Sequence, residues 1–159
     1  MNKLPPDERQ GYPEPADPVT RIAAKVIDLL LAAMLAKLVP PIGMVMGIVY
    51  LLVGDGLEGG RSVGKRLLGL RVIHPETREP ATTRQSILRN VHLAVLFAFM
   101  FLPILGYVLA VVLGTFTLAV ELYAIFNDPH GLRMGDLFAE SIVVGHAWAP
   151  VNQNLESRA

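Results

Sequence analysis

Two long stretches almost free of charge constrain this chain more than any other feature. Ile22 to Val53 carries only Lys25, Asp28 and Lys37, and Val91 to Phe126 carries only Glu121 among Asp, Glu, Lys and Arg. One bilayer crossing takes ~20 apolar residues, so each stretch is too long for a single typical span. Each also breaks near its middle, at Pro40-Pro41 in the first and at Pro103 with Gly106 in the second. Proline lacks the N–H a helix needs and clashes with the preceding turn. The pattern therefore predicts an all-α membrane protein of about four short transmembrane helices arranged as two hairpins, with segments 22–39, 41–53, 91–103 and 105–126. The second and third are short: at ~1.5 Å per residue they reach only ~20 Å of a ~30 Å hydrocarbon core. Such segments either thin the bilayer, extend beyond these limits or are re-entrant. A soluble helix should show a polar stripe, and Ile104 to Val120 has none.

Sidedness follows from the basic residues. The segment 54–90 carries seven: Arg61, Lys65, Arg66, Arg71, Arg78, Arg84 and Arg89. The two turns carry none, with only Lys37 nearby. The positive-inside rule then places the central segment and both termini in the cytoplasm. Residues 1–20 hold five prolines and several charges, which predicts a disordered cytoplasmic tail, and 147–159 read as a polar C-terminal tail. No residue-by-residue repeat stands out, although two hairpins flanking one polar segment suggest a distant duplication.

Composition closes off other classes. The chain of 159 residues has no cysteine, which excludes disulfide frameworks and thiolate metal sites. With 52% hydrophobic and 18% charged residues, against ~25% charged in ordinary soluble domains, the bulk of it is not disordered either.

Within the cytoplasmic segment 54–90, Lys65-Arg66-Leu67-Leu68 suits a short interfacial helix with its cations toward anionic headgroups. Leu70 to Ile73 reads as a short strand, and Ser141 to Val144 could pair with it. Thr82-Thr83-Arg84-Gln85 matches a capping box, so a helix should start near Thr83 and run into the third span. Gly59 to Arg66 superficially resembles a phosphate-binding loop. However, Arg66 stands where the metal-binding hydroxyl belongs and no apolar strand precedes it, so that reading fails.

Ionisable residues at membrane depth are functional candidates by default. Arg21, Lys25 and Asp28 share one face of the first helix by their spacing. Lys25 could pair locally with Asp28, or Asp28 could face the bundle interior and bind a cation or proton. Glu121 lies beside a small-and-polar stripe of Gly114 and Thr117, either as a titrating group or paired with a loop arginine. Gly43-Met44-Val45-Met46-Gly47 permits close backbone approach, to the first helix or to a second copy. The loop Asn127 to Asp136 carries two carboxylates and His130, commonplace on such a loop, and no metal site is expected. No H-E-x-x-H and no aromatic-basic face is present, so neither an enzyme nor a nucleic-acid partner is expected.

These residues together resemble the RDD family of prokaryotic membrane proteins. Arg21 and Asp28 match the family's first arginine and aspartate. Ser62 to Val72 resembles its S-x-G-K-R-L-L-G-L-R-V stretch, and Ile87-Leu88-Arg89-Asn90 its L-x-R-N. Gly135-Asp136-Leu137-Phe138-Ala139 resembles its H-D-L-x-A-G-T close, with Asp136 as the second aspartate. Gly135 and Glu140-Ser141 replace the usual His and Gly-Thr. The resemblance implies a bacterial cytoplasmic (inner) membrane location, no cofactor, and a suggested role in transport, some members being reported as cation/proton antiporters. Two functions follow as expectations. In one, Asp28, Asp136 and Glu121 carry a small cation or proton, tuned by Arg21. In the other, Arg21, Asp28 and Asp136 form a structural ion-pair network in an accessory or assembly subunit. Partners would be the lipid bilayer and other membrane subunits or a homo-oligomer.

Overall fold

The computed structural model describes residues 13–38, 40–57, 59–128 and 132–145. Six α-helices and two short strands appear in the order α1 (Pro18–Leu38), α2 (Ile42–Val53), α3 (Val63–Leu67), β1 (Arg71–Ile73), α4 (Thr83–Phe99), α5 (Leu105–Asn127), α6 (Met134–Phe138) and β2 (Ile142–Val144). A single 3-10 turn, Gly54–Gly56, closes α2.

The long helices follow local signals. Asp17 caps α1 by accepting from the Thr20 N–H at 3.0 Å. Thr82 and Gln85 form the expected reciprocal capping box on α4. Helix α4 ends at Phe99 rather than at 103, and residues 100–104 make the turn into α5. Its start at Thr83 also means that α4 takes in the last residues of the expected cytoplasmic segment. At the N-terminal end, residues 13–20 are ordered rather than part of a tail, and α1 begins at Pro18. The remainder of that tail, 1–12, and the tail from 147 lie outside the described residues.

Helix α1 is patterned opposite to a soluble helix. Its buried stripe is Arg21, Ala24, Asp28, Ala32 and Ala36, while Ile22, Val26, Leu30 and Met34 are exposed. Small and ionic groups inside with large apolar groups outside is stable only where the surroundings are themselves apolar. The small residues admit α2: a Cβ on Gly43 would lie 2.1 Å from the Leu35 carbonyl oxygen, and one on Gly47 2.7 Å from that of Ala32. The G-x-x-x-G pair thus packs on the first helix. Helix α5 is apolar all round, with mean hydropathy 2.0 over Leu105–Ala124, and almost none of it is buried by the rest of the chain. It is the one helix among the described residues long and apolar enough to cross a bilayer.

A repeat hidden in the sequence emerges at the level of hydrogen bonds. Strands β1 and β2 pair antiparallel with Val72 opposite Val143. Each strand follows a short helix by the same route. Leu70 N–H donates to the Lys65 carbonyl at 2.7 Å, and Ser141 N–H to the Asp136 carbonyl at 3.0 Å. The residue between helix and strand has positive φ in both, +67° at Gly69 and +46° at Glu140. Each strand centre then accepts from a buried alanine just ahead of a long helix: Val143 from Ala16 at 2.8 Å, and Val72 from Ala81 at 2.9 Å. Finally, Gly64 of α3 rests on the Ala24 carbonyl of α1, and Gly135 of α6 on the Arg89 carbonyl of α4. Ala24 and Arg89 stand equally far beyond their caps, Asp17 and Thr82. The chain is therefore two equivalent halves, α1–α2–α3–β1 and α4–α5–α6–β2, exchanged about a local two-fold at Val72 and Val143. Ala16, Ala24, Leu70, Val72, Ala81 and Val143 form the apolar core at that axis.

Candidate functional site: a buried ionic network between the two halves

Beneath the two-stranded sheet, at one end of the long helices, ionic side chains from both halves converge. Asp136, on α6, is 1% exposed. It forms an ion pair with Arg21 of α1 through one oxygen and with Arg89 of α4, at 2.7 Å, through the other. The first of these oxygens also accepts from the Arg133 N–H at 3.2 Å, closing the first turn of α6. Arg89 reaches on to Asp55 at 3.4 Å and donates to the Ser141 hydroxyl at 3.3 Å.

Asp55, in the 3-10 turn after α2, is the centre of the network. It pairs with Lys65 of α3 and accepts from the Asn90 amide at 3.0 Å. Asn90 in turn accepts from the Lys25 ammonium at 2.8 Å. Burial works against the charge on Asp55, but Lys65, Arg89 and Lys25, with the Asn90 hydrogen bond, outweigh it. They hold the carboxyl well below the usual carboxylate range. The turn is fixed from below by Ser86, whose hydroxyl accepts from the Asp55 N–H at 3.1 Å and donates to the Leu52 carbonyl at 2.6 Å.

Asp28 stands apart from these pairs. Its carboxylate accepts from three neutral donors: the Tyr50 hydroxyl at 2.5 Å, the Ser62 hydroxyl at 2.6 Å and the Gly64 N–H at 2.8 Å. Ser62 also caps α3. Asp28 thereby fastens the start of α3 to the middle of α1. A Cβ on Gly64 would fall 3.0 Å from the carboxylate, which requires glycine there.

Of the residues singled out in the sequence, Arg21 and Asp136 are thus brought together. Asp28 belongs to a neighbouring hydrogen-bond cluster, and Lys25 bonds Asn90 rather than pairing with Asp28. Lys65 does not face headgroups: it is buried against Asp55, because a carboxylate on the adjoining turn satisfies it better than a distant lipid phosphate, while Arg66, Leu67 and Leu68 are exposed. Glu121 contacts His92 of α4 at 3.0 Å rather than a loop arginine. His130 lies outside the described residues.

Sequence reasoning missed Asp55 altogether, and Arg89 and Asn90 figured only within a motif. The available signal was Asp55 closing an apolar segment in a Gly-Asp-Gly turn, a position where an unpaired carboxylate would be exposed. Nothing local marks it as buried.

The exposed apolar faces and the apolar α5, the one candidate span among the described residues, accord with a membrane protein. The chain belongs to the RDD family, whose profile matches residues 15–140. No curated protein and no solved structure matches it significantly.

Proposed function

We propose that this protein is a non-catalytic integral subunit of the bacterial inner membrane, working with other membrane subunits or with copies of itself. In this reading Arg21 and Asp136 hold its two halves in register, and Asp28 ties α1, α2 and α3 together within the first half. The observation that carries the reading is how completely the signature carboxylates are occupied. Asp28 faces three donors and Asp136 two guanidinium groups. A cation needs oxygen ligands with free lone pairs and a place to sit. Here the groups that face both acids are donors, which oppose the approach of a cation.

The membrane arrangement fits four short spans as two hairpins, α1–α2 and α4–α5, with the ionic network and the sheet on the cytoplasmic side. The opposite turns, around 40–41 and 100–104, carry no charge. An even number of spans in each half puts both halves the same way up, related by an axis along the membrane normal. The twelve residues of α2 reach ~18 Å, so the bilayer thins around it or α2 enters only part way.

A second reading, coupling of a small cation or proton, keeps one supporting observation. The His92–Glu121 pair is partly exposed and lines a cleft, unlike the signature acids. The test is cation-driven proton flux in proteoliposomes, with Asp28→Asn and Arg21→Ala checked for monodispersity in detergent. The structural reading expects no wild-type flux and loss of folded protein in both variants. Wild-type flux that disappears in well-folded Asp28→Asn would overturn it in favour of transport.

A further inference from the structure

The two halves are joined by one short segment, residues 74–81, which runs from the end of β1 to the cap of α4. Its own backbone draws it into a tight turn. The His74 N–H donates to the Glu79 carbonyl and the Arg78 N–H to the His74 carbonyl, both at 2.9 Å. Arg78 takes a left-handed φ of +58° in that turn. The His74 ring completes the turn from inside: its Nδ1 accepts from the Glu76 N–H at 3.3 Å and from the Thr77 N–H at 3.4 Å. An imidazole nitrogen accepts only when it carries no proton, so the neutral ring here holds its proton on Nε2. That nitrogen faces Glu140 of the second half at 3.7 Å, at the left-handed residue between α6 and β2. His74 thus touches the link with one nitrogen and the second half with the other. The turn is also a wall: His74, Thr77 and Glu79 line a cleft of about 430 Å³, with Arg84 of α4 and Glu140 on its other sides.

We propose that His74 is a pH-operated clasp on the link between the halves: the neutral ring holds the 74–79 turn closed, and protonation of Nδ1 releases the turn and with it one wall of the cleft. Histidine is the side chain whose ordinary titration spans about pH 5 to 8. A doubly protonated ring is a donor at both nitrogens. Its Nδ1–H then points at the N–H groups of Glu76 and Thr77, and two hydrogen bonds become two donor–donor contacts. Nε2 keeps its proton and its carboxylate, so the ring stays with Glu140 while the turn lets go. The charged groups around the ring are Glu140 after α6, Arg84 in the first turn of α4, and Glu76, Arg78 and Glu79 of its own segment. The closed turn binds one proton fewer than the open one, so it is favoured as pH rises and lost as pH falls. The clasp rests only on the link and its neighbours, and is independent of whether the protein transports anything.

The test follows ring and turn together by nuclear magnetic resonance of the isotope-labelled full chain in nanodiscs, across about pH 5 to 8. Ring nitrogen signals report the tautomer and the uptake of the second proton, and His74→Asn identifies those of His74 among the four histidines. Exchange protection of the Glu76 and Thr77 amides, corrected for the intrinsic effect of pH, reports the turn. The expected result is the Nε2–H tautomer at high pH, and protection at both amides that falls at least about three-fold on acidification, as the loss of one modest hydrogen bond requires. The fall should share its midpoint with proton uptake by the ring. In His74→Asn the side-chain oxygen stands where Nδ1 stands and does not titrate, so protection should persist at every pH. His74→Phe offers no acceptor and should lack the protection at every pH. An Nδ1–H tautomer at high pH, protection that does not follow the ring, a pH dependence that survives in His74→Asn, or protection retained in His74→Phe overturns the proposal.

Discussion

Replacing Asp55 by Asn tests whether the ionic network is held by charge balance or merely by packing. Asp55 is 1% exposed, with Lys65 at 4% and Arg89 at 6%. After the change Arg89 keeps Asp136, but Lys65 loses the only acid it is paired with among the described residues. Removing one partner of a buried pair typically costs 3–5 kcal/mol, because the stranded charge stays desolvated. The new amide still offers an oxygen to one donor, so the expectation lies at the low end, about 3 kcal/mol. At roughly 2–4 °C per kcal/mol for a chain of this size, the midpoint of thermal unfolding should fall by about 6–12 °C. The assay is thermal unfolding in detergent or nanodiscs, with size-exclusion recovery as the second readout. The decisive variant is the double change Asp55→Asn with Lys65→Met, which removes the stranded ammonium and leaves its stem in place. If isolated charge causes the loss, the double variant recovers more than half of it. A single variant within about 1 kcal/mol of wild type, or a double variant worse than the single, would refute the reasoning.

The same structure makes further expectations. Gly64→Ala and Gly135→Ala should both block accumulation of folded protein, since their methyl groups would lie 2.1 and 2.5 Å from the carbonyl oxygens of Ala24 and Arg89; Gly114→Ala, with nothing within 4 Å, should be neutral or stabilising by up to about 1 kcal/mol in thermal melts. Tyr50→Phe should cost about 1.5–3 kcal/mol, the worth of a hydrogen bond to a charged group, and Ser62→Ala at least as much because the α3 cap goes too. Acid titration should find the Asp55 contribution fully present above the unfolded carboxylate value near pH ~4 and lost as pH falls toward its depressed folded value; Asp55→Asn should flatten that limb of the stability curve, and an unchanged limb would argue against an ionised Asp55.

Much of the architecture was legible in local chemistry. The breaks at Pro40-Pro41 and Pro103 separate the observed helices, Thr82 and Gln85 mark the start of α4, and Leu70 to Ile73 does lie beside Ser141 to Val144. The capping box gave the start of α4, and its end falls at Phe99, four residues before the expected 103. The duplication was almost invisible. The equivalent segments Ser62–Ile73 and Arg133–Val144 agree only at Gly64 with Gly135 and at Val72 with Val143. At Gly64 and Gly135 close backbone contact leaves no room for a side chain, and Val72 and Val143 are buried opposite each other in the sheet, whereas Lys65 stands opposite Asp136 in the two halves.

Charge depletion alone marked this chain as a membrane protein, because a bilayer imposes its rule on every residue of a span independently of its neighbours. Pairing of the ions was decided only by the tertiary structure. The helical spacing of Lys25 and Asp28 offered a pair within one turn, and folding instead delivered Tyr50, Ser62 and Gly64 to Asp28, and Asn90 to Lys25. A buried charge takes the partners that desolvation leaves within reach, and those come from elements 10 to 115 residues away in the chain.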